Sequence, residues 1–93
     1  MTTSMTRTIS SLLPDDWTQL DKGYLEFTIE TLAEDKKHWV SERVALEREC
    51  TLLPEGSPSR RAKEKEIDNL KELIFVHTMA ISAIRAHLQS TEG

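Results

Sequence analysis

The chain reads as an all-α protein, an antiparallel helical hairpin, and three observations lead to that class. Residues 67 to 88 carry an unbroken heptad, residues 17 to 50 carry helical stripes, and a cluster of Pro, Gly and Ser separates the two. Composition agrees: 38% of residues are hydrophobic and 30% charged, which suits a soluble helical protein rather than a disordered tail. With three Gly and three Pro in 93 residues, long helices run without interruption, and there is room for one small domain.

Residues 1–13 are rich in Thr and Ser, show no period and read as a flexible arm; the helical hairpin occupies 14–93. Leu12 and Leu13 are placed to tuck against the first helix. Pro14 with Asp15 and Asp16 is a start signal, and Asp16 with Gln19 fits a capping box. The first helix is expected over about 15–50. Its main stripe is Leu25, Ile29, Leu32, Lys36, Trp39, Arg43, Leu46 and Cys50. A shorter stripe, Trp17, Leu20, Tyr24 and Phe27, lies on another side. Gly23 sits between these turns, at a helix cost of about 1 kcal/mol relative to Ala. A continuous or mildly kinked helix is expected there, the alternative being a separate short helix over 15–22.

Residues 51–58 form the loop. Ser57 followed by Pro58 suits an N-cap and first helical position, so the second helix is expected over about 58–90. Its seam is Ile67, Leu70, Ile74, His77, Ile81, Ile84 and Leu88. Arg60, Arg61, Lys63 and Lys65 near its start oppose the macrodipole, so packing must hold this helix. A short loop makes the helices antiparallel. With the turn near Gly56, Cys50 falls near Ala62, Leu46 near Glu66 or Ile67, Trp39 near Leu73 or Ile74, and Leu32 near Ile81. The expected core is therefore Leu25, Ile29, Leu32, Trp39 and Leu46 against the second-helix seam, with Lys36 and Arg43 reaching outward along their stems.

The second helix has more apolar surface than its seam requires. Leu73, Ala80 and Ala83 widen it, and Phe75, Val76 and Met79 lie on other sides. Burial stabilises by about 25 cal/mol per Å² of apolar surface, so leaving Tyr24, Phe27, Phe75 and Met79 in water forgoes several kcal/mol. A second copy, a different protein, or a fold-back of residues 15–22 would cover them. A homodimer forming a four-helix bundle is the leading expectation. Trp17, Tyr24, Phe27, Phe75 and Met79 are the expected partner-binding residues.

Net charge is −4, which argues against duplex DNA as the main partner, although Arg60 to Lys65 is a basic patch. Cys50 is the one cysteine, so an internal disulfide or a cysteine framework is excluded and a reducing cytoplasm is the expected compartment. No run approaches the roughly 20 apolar residues of a membrane span. Glu34, His38 and Glu42 share a helical face, but without di-iron spacing and with Lys36 and Lys37 beside them they read as a solvated surface. His77 reads as a polar core residue that sets register, with a pH-sensitive or metal-binding role as the sharper alternative. No phosphate loop, nucleophile motif or metal-hydrolase motif is present, so neither catalysis nor a cofactor is expected. The function expected is a non-enzymatic protein-interaction module that binds or occludes a partner. A chaperone-like subunit of a larger assembly and a nucleic-acid regulator are the alternatives.

Overall fold

The computed structural model describes residues 11–92. Two helices dominate it: α1, Lys22–Thr51, and α2, Pro58–Glu92, packed along each other as an antiparallel hairpin. No strand occurs among the described residues. The molecule measures 54 Å by 33 Å by 17 Å. At 1.5 Å per residue α2 alone accounts for about 52 Å of that length. None of these helices is long and apolar enough to cross a membrane.

The turn forms as its residues dictate. Ser57 Oγ accepts the Arg60 amide at 3.2 Å, so Ser57 caps α2 and Pro58, which has no amide hydrogen, takes the first helical position. Gly56 has φ +79°, a conformation that disfavours a side chain. Arg60 Nη1 donates to the Leu53 carbonyl at 3.1 Å and Nε pairs with Glu64 at 3.3 Å, tying the loop to the start of α2. Lys63 Nζ reaches Glu49 at 2.9 Å and clamps the two helices just above the turn.

The hairpin register agrees with the sequence pairing. Trp39 and Leu46 border one shallow cleft with Glu66, Leu70 and Leu73. Leu32 and Ile81 belong to one buried cluster, together with Leu25 and Ile84. Ile67 and His77 are also buried, while Ile29, Trp39, Leu46, Leu70, Ile74 and Leu88 are half-buried. A pair of helices has no third layer to seal these positions from the sides.

One expectation is corrected: α1 begins at Lys22 rather than near residue 15, and Trp17–Gln19 is a separate 3-10 turn. Leu20 is extended, with φ −79° and ψ 154°, so the chain changes direction there. Asp16 makes no side-chain cap bond, and the capping box with Gln19 does not form. The physical reason is burial: the change of direction lets Trp17 and Leu20 pack on the cluster that holds Leu25 and Ile84. Of the segment read as a flexible arm, residues 1–10 lie outside the described residues; Leu13 is buried in that cluster and Leu12 packs on it, where the sequence placed them against the first helix. Val76, placed off the seam by its spacing, is 1% exposed. It belongs to a second α2 stripe, Val76, Ala80, Ala83 and His87, whose members are all buried or half-buried. Ala80 shares the cluster with Leu13, and His87 meets the Trp17 ring edge-on at 5.3 Å. The segment before α1 thus folds back over the open end of the hairpin.

Candidate functional site

Among the described residues six large apolar side chains are exposed; four of them form two helical pairs, while Val44 on α1 and Leu52 just past its end stand apart. Tyr24 and Phe27 stand one turn apart at the start of α1, 57% and 64% exposed. Phe75 and Met79 stand one turn apart in the middle of α2, 61% and 43% exposed. Trp17, grouped with them from sequence, is half-buried and its ring is occupied by His87 and the core. The four exposed residues sit outside the seam because the helical period carries them away from it. None of the four lines either of the two grooves described along the hairpin.

A groove of about 500 Å³ runs along the hairpin where α1 passes α2. Its floor is Ala33, Val40 and Ile81, and its rim carries Lys36, Lys37 and Arg85. Ser41, Thr78 and Ser82 add hydroxyls. Small side chains on both helices leave the space open, and three cations make it electropositive on a chain of net charge −4. The groove is absent from the sequence reading because its two walls come from segments more than 35 residues apart. Lys36 and Lys37 were visible there only as interruptions of an apolar stripe.

The other candidates do not assemble into reactive sites. His77 is 3% exposed, and its Nδ1–H donates to the Leu73 carbonyl at 2.8 Å, one turn back on the same helix. That bond satisfies Nδ1 within α2 and makes no link to α1. Glu34, His38 and Glu42 all lie exposed on α1. His38 packs edge-on to Trp39, and Glu34 pairs with Lys37 at 3.8 Å. Among the described residues, no group of three or more His, Cys, Asp or Glu could hold a metal ion. Cys50 is buried, with Sγ 4.0 Å from the Arg60 carbonyl. In the basic patch, Arg60 and Lys63 are engaged by Glu64 and Glu49, which subtracts from its pull on phosphate. The strong contact with Glu49 raises the Lys63 pKa above its ordinary 10.5, through the hydrogen bond first and the charge second.

Arg43 is half-buried along the seam, with its side chain 33% exposed. Its Nε is buried without a hydrogen-bond partner, and Glu47 stands 3.8 Å away. That distance suits an ion pair but is too long for a hydrogen bond. No protein-family model, curated protein or solved structure matches the chain.

Proposed function

We propose that this protein is a non-enzymatic interaction module that self-associates and binds a protein partner through its exposed helical faces. One observation carries the reading. Large apolar side chains remain in water on both helices after the hairpin and the fold-back have each used their share. Phe27 and Phe75 are the wholly apolar aromatic rings among them. An aromatic ring on an ordered helix is a low-entropy anchor for a partner helix or groove. Occlusion is the mechanism this suits: a stiff rod about 50 Å long covers a partner surface without reshaping it. A reducing cytoplasm remains the proposed setting, on the strength of the single buried cysteine.

The test uses the purified chain. Sedimentation equilibrium is expected to show association, and an apolar dye such as anilinonaphthalene sulfonate is expected to bind. Phe75→Glu should cut dye binding while far-UV helicity stays unchanged. A monomer that ignores the dye overturns the proposal.

A further inference from the structure

α1 carries a mostly polar stripe at heptad spacing that the hairpin leaves exposed. Phe27, Glu30, Glu34, Lys37, Ser41 and Val44 follow one another at alternating spacings of three and four. All six are exposed, Val44 at 37%. The stripe borders the cationic groove and contributes Lys37 and Ser41 to it. Its charges are arranged about Glu34, with a carboxylate one step towards the N-terminus and an ammonium one step towards the C-terminus. Laid antiparallel on itself, such a stripe sets each Glu30 opposite a Lys37.

We infer that a second copy of this chain docks along this stripe, with the two α1 helices antiparallel across a two-fold axis at Glu34. The inference rests on the self-association proposed above and names its surface. In this register Glu30 faces Lys37 of the partner subunit, and the pairing repeats across the axis, as a closed two-fold interface requires. Phe27 falls beside Ser41 of the partner subunit and enters its groove over the apolar floor of Val40 and Ile81. Val44 lies over Gly23 of the partner subunit, a position where an added Cβ would meet nothing within 4 Å. The groove's cationic rim calls for carboxylates beside an apolar anchor, and the start of α1 presents Glu26 and Glu30 around Phe27. The two Glu34 side chains meet at the axis and repel, each tempered by its own Lys37. Phe75 and Met79 take no part and stay available to a different protein.

Sedimentation equilibrium of the full-length chain at low salt tests this, with circular dichroism confirming that each variant remains helical. Glu30→Lys and Lys37→Glu should each weaken the dimer about tenfold, since each reversal creates two like-charge contacts. The double variant should return to within about threefold of the parent, because the pair is restored with its ends exchanged. Glu34→Gln should tighten the dimer, and Phe75→Glu should leave it unchanged. A dimer that ignores both charge reversals, or that dissociates on Phe75→Glu, overturns this interface while self-association stands. A chain that is monomeric at every concentration overturns both.

Discussion

Val76 and His77 are neighbours in sequence, both are buried, and each is buried for a different reason. His77 lies on the heptad seam, and its Nδ1–H donates to the Leu73 carbonyl of its own helix. Val76 lies off the seam, and its burial follows from the second stripe that continues through Ala80 to His87. Periodicity identified the first and not the second, because a helix carrying several apolar stripes does not declare which of them will be covered. Ile84 is where the covered surfaces meet. It is fully buried in the cluster that contains Leu13, Leu25 and Leu32. Ile84→Ala is expected to cost about 3 kcal/mol, as transfer and cavity terms add in a core that cannot close up. Urea denaturation measures it, and a loss under about 1 kcal/mol would mean that the cluster is not a packed core.

At the scale of elements, the two helices are unequal partners. α2 supplies a nearly continuous apolar seam, whereas the middle of α1 answers it with half-buried Lys36, Arg43 and Glu47. Buried charge is seldom worth its desolvation, and the Arg43 Nε goes without a hydrogen bond. Arg43→Leu is therefore expected to stabilise the fold by about 1 kcal/mol, leaving Glu47 exposed enough to be solvated. A lower melting temperature would refute this and assign the guanidinium a structural role.

The clamp near the turn has a pH signature. Lys63 has a folded pKa above its ordinary 10.5, so the stability it adds is complete below that value. It disappears as pH rises through the raised value and the ammonium loses its proton. Glu49→Gln should flatten this alkaline loss, which denaturation midpoints taken between neutral pH and pH about 11 will read. These elements were legible early. The Ser57 cap, the following Pro58 and the Gly56 turn are local signals, and the turn in its place sets the pairing of Trp39 with Leu73 and Leu46 with Glu66.

At the scale of the whole molecule, the hairpin's surplus apolar surface is only partly met from within. The segment from Leu12 to Leu20 folds back and lays Leu13, Trp17 and Leu20 on the open end. This is one of the three remedies the sequence allowed, and it leaves Phe27 and Phe75 exposed. Trp17 joins the segment to α2 through His87. Trp17→Ala is expected to cost about 2 kcal/mol, near 10 °C in melting temperature for a domain of this size, with helicity retained. An unchanged melting curve would show that the fold-back contributes nothing to stability.

The amino-acid sequence by itself determined the helices of the hairpin, the turn, the register and the apolar surplus. Each of these depends on spacing along one helix or on a few adjacent residues in the turn, and such interactions act over one or two helical turns. Tertiary structure alone decided where α1 begins, which second stripe of α2 is covered, and that Lys36, Lys37 and Arg85 rim one groove. These outcomes join segments far apart in the chain, and burial, which has no direction of its own, selected among several apolar stripes that local propensity left equivalent.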